Sequence, residues 1–217
     1  LFSGLSTVAQ RMNLKYLIGA LLLLPQIASA EEVANWSFEI KGGRFESADR
    51  QWEVFYGNNR FPAYGLGLGY KLHHYVEVGL EAGYLADEGR GLAPIHGMVT
   101  GNVKYRLYPI HLNLTVRGKF TPEQWLVPYL GLGLSRYSYL VETEQQTDVS
   151  GSLYGYQYKA GIRLLLDNLE KSSAYNLDRT FGIVNTYFFL QAQRIKVNTN
   201  DANLDGTAYM GGIRFEY

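Results

Sequence analysis

The stretch from Tyr209 to the end of the chain alternates with a period of two. Tyr209, Gly211, Ile213, Phe215 and Tyr217 suit a lipid environment, and the residues between them, Gly212, Arg214 and Glu216 among them, are small, polar or charged. In a β-strand successive side chains point to opposite faces. Such a segment therefore offers one face to hydrocarbon and the other to a polar interior, the pattern of a transmembrane barrel strand. A single strand cannot stand in lipid, because its backbone groups are satisfied only when the sheet closes on itself. The chain must therefore supply the other staves.

It does so repeatedly. Residues 36–45 alternate through Trp36, Phe38 and Ile40. A second strand places Tyr64, Leu66, Leu68, Tyr70 and Leu72 on one face and mostly glycine on the other, which leaves room inside a narrow barrel. After a tight turn at His73 and His74, residues 76–84 repeat the pattern. Residues 103–116 change phase at Pro109: Val103, Tyr105 and Leu107 are odd, Leu112, Leu114 and Val116 even. A one-residue bulge makes that switch and tolerates proline. Two strands there would make nine in all, whereas bacterial single-chain barrels use even numbers. The reading is one bulged strand. A fifth strand spans 126–140, a sixth carries Tyr154, Tyr156, Tyr158, Ala160, Ile162 and Leu164, a seventh covers 184–197, and the eighth ends the chain. Between the sixth and seventh, residues 167–182 are long for a turn, and Leu165, Leu169 and Ser172 fall at helical spacing, which predicts a short interfacial helix.

The expected fold is all-β, an eight-stranded antiparallel transmembrane barrel with a short periplasmic helical turn. A soluble eight-stranded calyx is the alternative, but it needs neither consistently apolar outer faces nor a terminal aromatic strand. With Tyr217 in the periplasm, loops 46–61, 87–101, 141–150 and 198–205 lie outside the cell, and the turns near His73, Pro122 and Asn168 lie in the periplasm. The N-terminal region agrees with export. A basic start at Met12 to Lys15, an apolar run to Leu24 and small residues before a cut after Ala30 form a signal peptide. The run is shorter than the ~20 residues of a membrane helix. Residues 1–11 read as an upstream extension, 12–30 as the signal and 31–217 as the barrel. Zero formal net charge gives no case for nucleic acid, and the absence of cysteine excludes disulfides and thiolate chemistry.

The run Gly65-Leu66-Gly67-Leu68-Gly69, the run from Val127 through Leu130, Leu132 and Leu134, and the final Ile213-Arg214-Phe215-Glu216-Tyr217 resemble the OmpA/OmpX/OmpW-like group of small outer-membrane barrels. Residues 166–178 and 182–189 are more specifically similar to an uncharacterised outer-membrane barrel family described from myxobacteria and relatives. The terminal strand resembles the signal that outer-membrane assembly machinery reads. These resemblances imply a fold and a location, an integral outer-membrane protein, but no chemistry.

Alternate positions should face inward: Glu39, Lys41, Lys71, Glu77, Glu81, Asn113, Arg117, Lys119, Lys159, Arg163, Gln191, Arg214 and Glu216. Eight strands leave an interior that side chains can fill, and a buried charge without its partner is costly. The expectation is a plug of matched charges rather than a wet pore. Enzymatic patterns are weak. The lipid A deacylase type resembles a His-x-Ser pair, but the residues two after His73, His74, His96 and His111 are Tyr75, Val76, Met98 and Asn113. The palmitoyl-transfer type needs His, Asp and Ser near the outer surface, where His96 and Asp87 fall. No catalytic residue is assigned. Asp201, Asn203 and Asp205 followed by Gly206 match the first half of a calcium loop, yet Gly212 stands where the bidentate acid belongs. A polar hairpin tip explains the same residues, and calcium is the one cofactor considered. The outer loops offer Trp52, Phe55, Tyr56 and Arg60 to an unidentified surface partner, and Glu142, Glu144 and Asp148 to divalent ions shared with lipopolysaccharide. Two functions follow as expectations: a non-enzymatic structural or surface-interaction barrel in contact with outer-membrane lipids, or a narrow conduit for small or apolar solutes.

Overall fold

Alternation becomes structure by pairing neighbouring runs. The computed structural model describes residues 35–48, 59–92, 99–121, 123–143, 146–199 and 202–217. Its strands are β1 (Trp36–Ser47), β2 (Arg60–His73), β3 (Val76–Leu92), β4 (Val99–Arg117), β5 (Leu126–Thr143), β6 (Gln146–Leu165) and β7 (Asn185–Lys196). A two-stranded ribbon of β8 (Asn198–Thr199) and β9 (Ala202–Asn203) precedes the last strand, β10 (Gly206–Glu216). A helix, α1 (Lys171–Phe181), lies between β6 and β7. Eight strands close an antiparallel barrel in chain order, and β10 returns to β1 with Ser37 opposite Glu216 and Ser47 opposite Gly206.

Both ends of the described barrel, Trp36 and Tyr217, exchange backbone hydrogen bonds at 3.2 and 2.9 Å. The same end holds three turns. One is at His74 and Tyr75. In the second, Gln124 donates to the carbonyls of Gly118 and Leu126 and accepts from the Phe120 N–H, each at 2.7 Å. The third carries α1, whose C-cap Gly182 sits at φ 68, a left-handed conformation that favours glycine. The helix expectation holds with a shifted start. Leu165 belongs to β6 and Leu169 to the preceding turn, so the helical spacing picked out residues that lie mostly outside the helix.

At the opposite end the strands run far beyond the sequence expectation. β3 and β4 stay paired to Leu92 opposite Val99, and β5 and β6 to Thr143 opposite Gln146. Most of the expected loops 87–101 and 141–150 are thus hairpin. Pairing of β2 with β3 stops at Ala63 and Leu85, and that of β6 with β7 at Tyr156 and Lys196. Strands β3–β6 therefore stand as a wall that continues past the pairing with their neighbours, by seven residues on β3 and ten on β6.

The outer face is lipid-compatible. Ile40, Leu66, Leu80, Leu112, Leu114, Leu130, Leu132, Leu134, Ile162 and Leu190 all point outward, Leu132 with 68% of its surface uncovered by protein. Aromatic pairs flank this band, Trp36 with Tyr70 (4.9 Å between rings) and Tyr75 with Phe120 (6.1 Å) at the terminal end, Tyr84 with Tyr108 (5.5 Å) at the hairpin end. Interfacial aromatics of this kind anchor a barrel in a bilayer.

The bulge expected at Pro109 is absent. β4 holds one register against both neighbours through Pro109, with Ile110 opposite Ala82 and Leu107 opposite Leu85 on one side, and Pro109 opposite Tyr137 on the other. Odd residues point inward from Tyr105 to Arg117. The change of apolar phase has a different cause: Tyr105 and Leu107 are inward residues that fill an apolar part of the lumen.

Candidate functional site

The lumen is the candidate site, and it has two chemically distinct halves. The half near the termini is ionic. Glycines on β2 make the room: a Cβ on Gly67 would lie 3.4 Å from atoms of Glu39 and Glu81, and one on Gly69 would overlap Ser37 and Glu77. Arg214, 1% exposed, is the hub. Its guanidinium donates to Glu39 at 2.6 Å, to both oxygens of Glu77 and to Glu216 at 3.2 Å. Glu216 also accepts from Lys71 at 2.6 Å and Arg117 at 2.9 Å. One layer further in, Glu81 bridges Lys41 and Lys159. Arg163 lies 3.5 Å from Glu39 and 3.7 Å from Glu77, with its guanidinium 4.4 Å above the Tyr129 ring. Its Nε and Nη1 make no hydrogen bond among the described residues. Lys119, just past β4, donates to the Tyr187 hydroxyl at 2.7 Å; burial holds its ammonium below the usual lysine range.

Seven cations (Lys41, Lys71, Arg117, Lys119, Lys159, Arg163, Arg214) face four carboxylates (Glu39, Glu77, Glu81, Glu216), a surplus of three positive charges. Matching is by sharing rather than one to one. Neutral polar groups lie beside the ions and beyond them. Gln157 donates to Asn113 at 2.6 Å, Gln193 bonds Gln157, and the Tyr129 hydroxyl donates to Gln191 at 3.0 Å.

The half near the hairpins is apolar. Phe45, Phe61, Ala63, Tyr105, Leu107, Tyr137, Val141, Leu153, Ile195, Val197, Leu204, Ala208 and Met210 form one buried cluster. Sequence reading missed it, because it assumed that every apolar position faces lipid. Where the halves meet, a cavity of about 40 Å³ is lined by Lys41, Glu81, His111, Tyr137 and Met210 among others. A water needs about 10–15 Å³ of such space, so the cavity holds a few waters at most. A second cavity, of about 10 Å³, lies among Phe45, Phe61, Tyr105 and Leu107.

Cross-strand register also creates a pair that sequence spacing could not reveal. His111 stands opposite Ser135, with Nδ1 and Oγ 2.8 Å apart, and opposite Glu81 on the other side. The row Glu81, His111, Ser135 has the residue types of a hydrolase, but Glu81 is committed to two lysines, Ser135 is buried, and the cavity that Glu81 and His111 line is too small for an acyl chain.

The remaining expectations fall at the hairpin end. Trp52, Phe55, Tyr56, His96, Glu144 and Asp201 lie outside the described residues. Arg60 pairs with Glu46 at 3.0 Å, and Glu142 with Arg106 at 2.8 Å. Asp205 accepts from Lys196 at 2.6 Å and from the Val197 N–H at 3.0 Å, which engages both of its oxygens. No group of three His, Asp or Glu suited to a metal occurs among the described residues.

Comparison with known proteins gives one family and several folds. The family model described as outer membrane protein beta-barrel domain matches residues 18–215. Among solved structures, OprG of Pseudomonas aeruginosa is 13% identical with a TM-score of 0.58, over 84% of this chain and 96% of that one. Neisserial surface protein A is 13% identical with a TM-score of 0.54, over 85% and 98%. The N-terminal barrel domain of OprF from P. aeruginosa is 15% identical with a TM-score of 0.52, over 85% and 98%. At these identities the likeness is one of fold. No curated protein matches the chain.

Proposed function

The chain belongs to the outer-membrane protein β-barrel domain family, and from that premise we propose that it is a closed, non-enzymatic barrel that acts through its hairpin end. The supporting observation is the filled lumen. Ions occupy one half, an apolar cluster the other, and the cavity where they meet measures about 40 Å³. In a barrel of eight strands, side chains suffice to fill the interior. Conduction needs a continuous path for water, and an apolar constriction closes such a path by dewetting.

What the lumen lacks, the hairpin end supplies. With the termini in the periplasm, the wall of β3–β6 stands outside the cell, and the connection between β1 and β2 carries Trp52, Phe55 and Tyr56, residue types that suit an aromatic contact with a surface partner. Lipopolysaccharide is the lipid neighbour on that side. The finer resemblance to the barrel family described from myxobacteria agrees with a barrel of this kind.

Solute-loaded proteoliposomes test the closed state. Vesicles carrying the folded protein should retain a small sugar as well as protein-free vesicles do. Rapid swelling would favour the conduit. Replacing residues 49–58 with a short flexible linker should abolish partner binding on cells while leaving the heat-modifiable gel mobility of the barrel intact.

A further inference from the structure

Helix α1 is an orphan in this architecture. It has eleven residues and none of them is buried. Isolated helices shorter than about 12–15 residues are marginal in water, and most helical stability in proteins comes from packing an apolar face. The caps are good: the Glu170 side chain accepts from the Ser172 N–H at 3.3 Å, and the Gly182 N–H donates to the Asp178 carbonyl at 2.8 Å. Caps alone do not cover the apolar side chains.

Ala174, Leu177 and Phe181 recur at i, i+3 and i+7 and share one face. Ser172, Tyr175, Asn176 and Arg179 occupy the other, and Ser173, Asp178 and Thr180 stand at the borders. Ala174 and Leu177 are half-buried. Phe181 is 61% exposed, Tyr175 63%, and Leu169 in the preceding turn 63%.

Position says what covers them. Both ends of the helix are tied to the barrel rim. Before it, the Asp167 carboxylate accepts from the Thr186 N–H at 3.1 Å and the Asn168 side chain donates to the Glu123 carbonyl at 3.2 Å. After it, the Val184 N–H donates to the Glu216 carbonyl at 2.8 Å. The neighbouring rim residues Phe120, Trp125, Leu126, Val184 and Phe188 are themselves outward and exposed, and belong to the lipid-facing belt. The apolar side chains of α1 thus continue that belt.

We infer that α1 lies in the membrane interface, with Ala174, Leu177 and Phe181 in the headgroup–acyl boundary of the leaflet at the terminal end and its Ser/Asn/Arg face in water. Amphipathic helices bind lipid surfaces in this way. In the orientation proposed above this is the periplasmic, phospholipid leaflet. The inference rests on the barrel being membrane-embedded. The helix fixes the barrel's depth and rotation at one point of its circumference.

The chain has no cysteine, so single-cysteine variants can be labelled with a nitroxide without background. The full mature chain is refolded into phosphatidylcholine vesicles containing phosphatidylglycerol, and folding is verified by gel mobility. Accessibility to oxygen and to a polar nickel chelate is then read at Leu132, Glu123, Leu169, Ser172, Asn176 and Phe181. Labels at Leu169 and Phe181 should report a depth between Leu132 in hydrocarbon and Glu123 in water, while Ser172 and Asn176 should read as Glu123 does. Labels at Leu169 and Phe181 as open to the chelate as Glu123, with Leu132 still in hydrocarbon, would overturn the inference and assign this face to a periplasmic partner. A Leu132 label in water would overturn the membrane embedding itself.

Discussion

The two halves of the lumen obey the same alternation and are filled by opposite chemistry. In the ionic half each side chain is specified by its partners: Arg214 fits because Glu39, Glu77 and Glu216 converge on it from β1, β3 and β10. In the apolar half the cluster around Leu107 and Tyr137 requires only volume and apolarity. The first half sets which residues must be present; the second excludes water with residues that can be exchanged. The contrast can be broken by substitution.

The largest effect is expected at the hub. Arg214→Leu removes the buried cation that Glu39, Glu77 and Glu216 share and should cost about 3–5 kcal/mol, read by urea unfolding in lipid. Arg163→Leu should cost less, because Nε and Nη1 of Arg163 have no hydrogen bonds to lose. Equal losses would show that the network has no hub.

Next comes the outer face, which both halves share. Leu132→Arg puts a charge in mid-bilayer and should cost about 2–4 kcal/mol. Tolerance of arginine there comparable to that at the tip of the β5–β6 hairpin, at Gln146, would contradict the lipid assignment. The apolar half should be forgiving: Leu107→Met preserves volume and should cost less than about 1.5 kcal/mol. A loss as large as that of Arg214→Leu would mean that this half is as specific as the ionic one.

The smallest effect concerns the turn before α1. Burial pushes the Asp167 carboxyl above its ordinary range, against the Thr186 N–H that favours its charged form. A carboxyl raised on folding stabilises below its unfolded pKa, and that contribution is lost as pH rises through the folded value. Wild type should therefore lose slightly more stability than Asp167→Asn as pH rises just above the usual aspartate range. Parallel pH profiles would refute this.

These regions also differ in how well the sequence announced them. The outward leucines of β2, β4 and β5 were legible, because lipid demands apolarity at every second residue. So were the charged inward positions, since a charge cannot face hydrocarbon. Their pairing was not: Glu77 and Arg214 meet across the barrel, far apart in the chain. The apolar half was misread at Pro109 because Tyr105 and Leu107 look the same whether they face lipid or pack a lumen. The ends of β3–β6 read as loops because their sequence, Asp87-Glu88-Gly89-Arg90 for one, does not alternate, while the backbone still pairs. His111 and Ser135 met through register, which local spacing does not encode.

The central claim is that the two halves together close the barrel, and single-channel recording in a planar bilayer tests it most directly. The folded protein should give no stable ohmic conductance. A steady conductance, anion-selective because of the three surplus positive charges and abolished by changing Arg117 or Lys159, would contradict it.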